Sequence, residues 1–247
     1  MSKLNQIHTV AERKPRMTMV FGPHGVGKST MVSQTEGSVV IQSEDGLREL
    51  EGPRFPVSDT FGDVMECARE MYEGDHDFKT LGVDTIDHIE PLIWKKVCED
   101  HGRKSIEDFG YGKGYVYAID YWRQFLNAML KIREKRNMAI LLIAHSKVET
   151  STDPELDPYD RYVPRLHKHA CSLVCETVDA VFFLRYKVFT RKTGEGFRQI
   201  TKGVGDGQRI LLTQERPGHI AKCRVNLPYE LPSDWPKFNN FLQGESL

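Results

Sequence analysis

Cysteine is sparse: five residues, at positions 67, 98, 171, 175 and 223, are scattered through 247 and are odd in number. That excludes a disulfide-stapled scaffold and fits reduced thiols in a cytoplasmic setting. Long apolar runs are missing too. The longest covers residues 138–144, the length of a buried strand and far short of the about 20 residues that a membrane helix needs. Lys3, Arg13, Lys14 and Arg16 have no apolar block between them, so the N-terminus has no signal-peptide pattern. Nor is one charge in excess. Lys and Arg number 34 against 35 Asp and Glu, a formal net charge of −1, so any nucleic-acid contact has to come from a local patch. No internal repeat and no low-complexity tract is visible.

What is present is alternation. Residues 17–21, 39–42, 80–84, 138–144 and 180–185 read as short strands. Between them, 28–34, 61–71, 86–97, 119–132 and 166–177 follow helical spacing, with Thr60 as a cap and Pro91 tolerable near a helix start. Residues 101–114 and 147–165 read as loops, and 187–190, 209–213 and 220–224 as shorter strands joined by Gly-rich turns. The expected fold is α/β: a mostly parallel central sheet, helices on both faces and a small antiparallel extension. The expected organisation is an arm over 1–15, one domain over 16–232 and a tail over 233–247.

Residues 22–29 read GPHGVGKS and match the phosphate-loop pattern G-x-x-x-x-G-K-[ST]. Gly22, Gly25 and Gly27 let the backbone turn its N–H groups inward around phosphate oxygens. Pro23, His24 and Val26 complete the loop. Lys28 brings an ammonium to the β- and γ-phosphates, Ser29 offers a hydroxyl to Mg²⁺, and Thr30 continues into the helix whose positive end faces the anion. The pattern points to a nucleoside triphosphate, ATP with Mg²⁺.

Three further positions suit that chemistry. Asp84 ends a strand and is the candidate Mg²⁺ carboxylate, with Asp87 as the fallback; it also suits a helix cap. Glu44 follows strand 39–42, where a carboxylate points into the ligand crevice and can orient water, although the QSEDGL string also reads as a solvated acidic turn. His145 ends strand 138–144 and suits either a γ-phosphate contact or a satisfied strand-end histidine. His167, Cys171 and Cys175 share a helix face, a geometry that serves buried packing better than zinc. Residues 185–202 carry Arg185, Lys187, Arg191, Lys192, Arg198 and Lys202 against Glu195, which suits a solvated edge or a backbone-binding face.

The order of these positions resembles the RecA-like ATPase core. More closely, the strings EDFGYGKGY, LLIAHSKVE, YDRYVPRLHKHA and LPYELPSDW resemble phage RecA-like ATPases of the short single-strand annealing group, the Sak-four type, over roughly residues 15–238. The resemblance implies that Glu44 orients water, Asp84 holds Mg²⁺ and His145 senses phosphate. It implies that Lys222 and Arg224, in AKCRVNLP, reach a neighbouring subunit's ATP. Self-assembly as a filament or ring follows, on single-stranded DNA and with a single-strand-binding protein as a further partner. Two loops would face DNA. One offers Arg103, Lys104, Tyr111, Lys113 and Tyr115, cations interleaved with rings as single strands require; Tyr115 equally suits packing. The other offers Arg161, Arg165 and Lys168. A separate DNA-binding domain has no room in 247 residues, which favours annealing over strand exchange. A nucleotide or metabolite kinase and an ATP-gated binding protein without hydrolysis remain the alternative readings.

Overall fold

Every residue of the strand Met17–Gly22 is buried, as a strand covered on both faces requires. The computed structural model describes residues 13–152, 154–155, 157–193 and 200–245. Most of the arm expected over 1–15 lies outside the described residues, as does 194–199 of the basic stretch. In chain order the elements are β1 (Met17–Gly22), α1 (Lys28–Ser33), β2 (Ser38–Gln42), α2 (Phe61–Glu73), β3 (Thr80–Asp84), α3 (Ile86–Asp100), a 3-10 turn (Ile106–Phe109), α4 (Lys113–Arg136), β4 (Ala139–Ser151) and β5 (Tyr159–Pro164). Then come α5 (Lys168–Thr177), β6 (Ala180–Tyr186), β7 (Phe189–Thr193), β8 (Ile200–Val204), β9 (Arg209–Leu212), β10 (Lys222–Cys223), β11 (Glu230–Pro232) and α6 (Phe238–Leu242).

The main sheet runs β11-β9-β6-β1-β4-β3-β2. Its β2, β3, β4, β1 and β6 members are parallel, while β9, β10 and β11 add the antiparallel extension. Side chains alternate across β1. Met17, Met19 and Phe21 join the larger core under α2, α3, α4 and α5. Val20 faces the smaller core with Met31 and Val32 of α1 and Phe238, Phe241 and Leu242 of α6. Residues assigned to a C-terminal tail thus pack under the sheet.

Local rules set several boundaries. Thr60 caps α2 through a reciprocal box: its hydroxyl accepts from the Asp63 N–H at 3.1 Å, and the Asp63 carboxylate accepts from the Thr60 N–H at 2.9 Å. Such a cap contributes about 1 kcal/mol. Helix α4 begins earlier than the apolar spacing predicts, because its first buried positions are Gly114 and Ala118, too small to read as a stripe. The expected loop over 147–165 is a hairpin instead. β4 continues to Ser151 and pairs antiparallel with β5, placing Lys147 opposite Val163 and Glu149 opposite Arg161. Polar residues on both of its faces disguise the strand period.

Candidate nucleotide site

The parallel register brings the candidate residues to one end of the sheet. Gly22 pairs with His145, Asp84 with Ile143 and Gln42 with Asp84. The phosphate loop leaves β1 at Gly22, where a Cβ would collide with the Leu184 carbonyl oxygen of β6. Gly27 takes φ 95° as it opens α1, a conformation that side chains resist. Val26 is fully buried beneath the loop, and the Tyr186 hydroxyl donates to the Gly25 carbonyl at 3.2 Å. Lys28 is 5% exposed and donates to the carbonyls of Gly22 at 3.1 Å and Pro23 at 2.8 Å. Burial pushes its ammonium towards the neutral form, and the carboxylates of Asp84, Asp87 and Glu44 oppose that shift.

Asp84 is 1% exposed, and neither of its carboxylate oxygens has a hydrogen-bond partner among the described residues. Burial raises its pKa, against the nearby Ser29 hydroxyl and the Lys28 charge. A buried carboxylate left without a donor is costly. Beside a P-loop serine it fits a hard divalent cation, for which Ser29 and Asp84 are the oxygen ligands at hand.

Glu44 is fixed by its neighbour. The Ser43 N–H donates to the Asp84 carbonyl at 3.0 Å, its hydroxyl donates to the Thr85 carbonyl at 2.7 Å, and the same hydroxyl accepts from the Thr85 N–H at 3.1 Å. This stitches β2 to β3 and presents Glu44 to the site. His88 Nδ1 lies 2.8 Å from Glu44 Oε2. On its other nitrogen, Nε2, His88 meets Arg165 Nη2 at 3.1 Å. A guanidinium only donates, so Nε2 accepts and the Nδ1–H donates to Glu44. His145 is oriented by a carboxylate, at a shorter distance than the 3.5 Å between its Nδ1 and Arg165 Nη2. Its Nδ1 donates to Asp87 Oδ2 at 3.1 Å, which leaves Nε2 facing Glu44 Oε1 at 4.0 Å. Donor atoms of Glu44, His88 and His145 lie within 4.8 Å of one another, but the His88 proton on Nδ1 makes this a hydrogen-bonded group.

Asp87, the fallback Mg²⁺ ligand, is already saturated. Burial alone would raise its pKa. Hydrogen bonds from the His145 side chain and backbone N–H, together with the Arg165 charge, reverse that and hold the carboxyl far below the usual range. Arg165 departs from its expected place among DNA-facing cations. Asp87 draws its guanidinium into the nucleotide site, with Nε at 2.9 Å and Nη2 at 2.6 Å from Oδ2. Its Nη1 lies 3.5 Å from His24 Nε2 of the phosphate loop, and the His24 ring stacks on His145 with centroids 3.8 Å apart. Sequence reasoning missed His88 and the inward turn of Arg165. The available signal was the string DTIDH, residues 84–88, which clusters two acids and an imidazole at a strand end.

Lys222 and Arg224 lie elsewhere. Cys223 pairs with Ala180, which pairs with Thr18, so both cations lie at the end of the sheet opposite the phosphate loop. Lys222 Nζ donates to the carbonyls of Cys175, Glu176 and Val178 at 2.8, 3.2 and 2.8 Å and closes the end of α5. Arg224 pairs with Asp179 at 3.1 Å and is 62% exposed.

The other expected DNA contacts fall into two groups. Near the start of α4, His101 stacks on Tyr117 at 4.9 Å, Phe109 packs against both, and Arg103 lies 5.8 Å from the Phe109 ring. Lys104, Lys113 and the fully exposed Tyr111 flank this cluster. Tyr115 is engaged: its hydroxyl donates to Glu107 and its ring stacks on His167 at 4.2 Å. Arg161 and Lys168 line an open cavity of about 450 Å³ with Lys147, Lys222, Cys171 and Cys175, away from the phosphate loop. All five cysteines are free thiols. No helix among the described residues is long and apolar enough to cross a membrane.

Comparison with known proteins adds three findings. The family profile described as an AAA domain matches residues 14–225. No curated protein matches the sequence. Among solved structures, the crystal structure of the RadB recombinase is similar at 14% identity and a TM-score of 0.44, over 85% of this chain and 87% of that one.

Proposed function

Because this chain belongs to the AAA domain family, we propose that it is a Mg²⁺-dependent, RecA-like ATPase. Its hydrolysis would be stimulated by single-stranded DNA and coupled to strand annealing or recombination. The observation that carries the reading is the convergence of Lys28, Glu44, Asp84 and His145 at the same ends of four adjacent parallel strands, with Glu44 held by His88 at 2.8 Å.

In this reading the loop 22–29 cradles the phosphates and Lys28 exchanges its two loop carbonyls for phosphate oxygens. Ser29 and Asp84 would hold Mg²⁺, which would supply charge neutralisation at the phosphates. Glu44 accepts a hydrogen bond from His88 on one oxygen and keeps the other free to orient and deprotonate water. His145, fixed on Asp87, faces the same space through Nε2 and senses the terminal phosphate. Lys222 and Arg224 act on a neighbour's nucleotide. Both lie far from their own chain's phosphate loop, so they would reach a nucleotide only in trans, and the resemblance to RecA-like ATPases is what suggests a filament or ring.

DNA binding falls to Arg103 at the His101–Phe109–Tyr117 cluster and to the exposed Lys104, Tyr111 and Lys113, which interleave with those rings along the sequence. Arg161 and Lys168 form a second, separate group. The sequence strings that resemble phage annealing ATPases support a role in phage replication, in the host cytoplasm, alongside a single-strand-binding protein. Steady-state phosphate release with and without single-stranded DNA tests the reading, together with annealing of labelled complementary strands. Stimulated turnover and ATP-dependent annealing support it. A phosphorylated small-molecule product in place of free phosphate would replace it with a kinase.

A further inference from the structure

We propose that Arg165 is a cis-acting catalytic arginine, whose guanidinium contacts the terminal phosphate of the nucleotide on its own chain's phosphate loop. The inference rests on the nucleotide-site reading above and adds a residue to it.

Arg165 stands in the short connection between β5 and α5. Its backbone N–H donates to the His145 carbonyl at 2.8 Å, so the main chain is tied to β4 beside the site. The side chain is aimed by Asp87, which has no exposed side-chain surface, while the Arg165 side chain is 39% exposed. Asp87 is used up in doing this. Its Oδ1 accepts from the His145 N–H at 2.9 Å, and its Oδ2 serves His145 Nδ1 and two nitrogens of Arg165. One edge of the guanidinium is therefore gripped. Its other nitrogen, Nη1, reaches over the phosphate loop to His24 at 3.5 Å.

That nitrogen lies against the phosphate loop itself: Nη1 is 3.5 Å from His24 Nε2, and the His24 ring stacks on His145 with centroids 3.8 Å apart. A phosphate seated in the loop is the anion it is placed to meet. With Nε and Nη2 on Asp87 and Nη2 also meeting His88 at 3.1 Å, the guanidinium is pre-oriented to offer Nη1 to a phosphate oxygen. A structural ion pair would need only Asp87. It gives no reason for the remaining nitrogen to lie against His24 of the phosphate loop.

Two consequences follow. The site carries its own arginine, so a separated subunit retains basal turnover before any neighbour supplies Lys222 or Arg224. The arginine is also carried at the base of the β4–β5 hairpin, so a ligand on that hairpin acts on hydrolysis through Arg165.

The test is nucleotide affinity of the full chain with Mg²⁺, for ADP and for a non-hydrolysable ATP analogue, alongside turnover, for wild type, Arg165→Ala and Arg165→Lys. We expect Arg165→Ala to weaken the analogue about tenfold and to leave ADP within about twofold, while turnover falls by about 10²-fold or more. Arg165→Lys should recover part of the affinity and little of the turnover, since an ammonium cannot stay on the Asp87 carboxylate and reach the phosphate at once as a guanidinium does. Unchanged ADP affinity also reports an intact fold. Equal loss for both nucleotides, or an unchanged ratio between them, would reduce Arg165 to a structural ion pair and overturn the proposal. A wild-type chain that favours the analogue through Arg165 without turnover would instead sink the ATPase reading and leave this contact standing. Binding of neither nucleotide by the wild type overturns both.

Discussion

Asp87 grips Arg165 from a fully buried position: its Oδ2 lies 2.6 Å from Arg165 Nη2 across the junction between α3 and the β4–β5 hairpin. The same oxygen holds His145 Nδ1 at 3.1 Å. One carboxylate therefore orients the candidate phosphate sensor and the candidate arginine together.

Replacing that carboxylate by an amide should cost roughly 1–3 kcal/mol, discounted from the loss of a fully buried pair because Arg165 is partly exposed. The pKa of Asp87 is depressed in the fold. Its contribution is therefore present above the unfolded carboxyl pKa and is lost as pH falls through the folded value. Urea melts of wild type and Asp87→Asn should differ at pH 7, and the gap should narrow once the pH drops below about 4. A gap independent of pH would contradict the assigned ion pair.

His88 touches Glu44, not the phosphate loop directly. His88→Ala should lower turnover by about 10–10²-fold through misplacement of Glu44 and leave nucleotide affinity near wild type. His88→Gln keeps an amide N–H that can reach Glu44 and should recover part of the loss. Turnover and affinity that fall together would place His88 in binding instead.

Glu90 is buried on α3, with its carboxylate accepting the His167 N–H at 2.9 Å. Burial outweighs that hydrogen bond and raises its pKa to about 7. The folded state thus holds this proton more tightly than the unfolded state, and stability falls as pH rises from about 4.5 to 7. Glu90→Gln should stabilise the protein at pH 8 by roughly 1–3 kcal/mol and make little difference near pH 4.5. Thermal melts at the two pH values check this.

The trans cations can be tested by mixing. Lys28→Ala chains should be inactive and Arg224→Ala chains should fall to basal turnover, yet a mixture should exceed both where an intact loop meets an intact Arg224 from its neighbour. Absence of any regain argues against a shared site. Lys222→Ala carries a stability cost of about 1 kcal/mol besides, since three carbonyls at the end of α5 lose their donor.

Much of this was legible in the sequence, for identifiable reasons. The phosphate loop announces itself because its chemistry is local: glycine freedom, one lysine and one hydroxyl in eight consecutive residues. Strands 17–21 and 138–144 were legible because burial on both faces makes them apolar or nearly so throughout. The β4–β5 hairpin was not, since its side chains are polar on both faces and its pairing is non-local. The contact of Arg165 with Asp87 was not legible for the same reason. Seventy-eight residues separate the two, and no period or spacing reports such a partner. His88 was hidden because a histidine in the first turn of a helix is ordinary until Glu44 is set beside it in space.

The most direct test of the account is single-turnover hydrolysis by Glu44→Gln beside wild type, at saturating Mg²⁺-ATP with single-stranded DNA. The variant should bind ATP as wild type does and hydrolyse it about 10²–10⁴-fold more slowly, because the amide can still be oriented by His88 but cannot take a proton from water. Hydrolysis at the wild-type rate by Glu44→Gln, with ATP binding intact, would contradict the central claim that Glu44 activates water at this site.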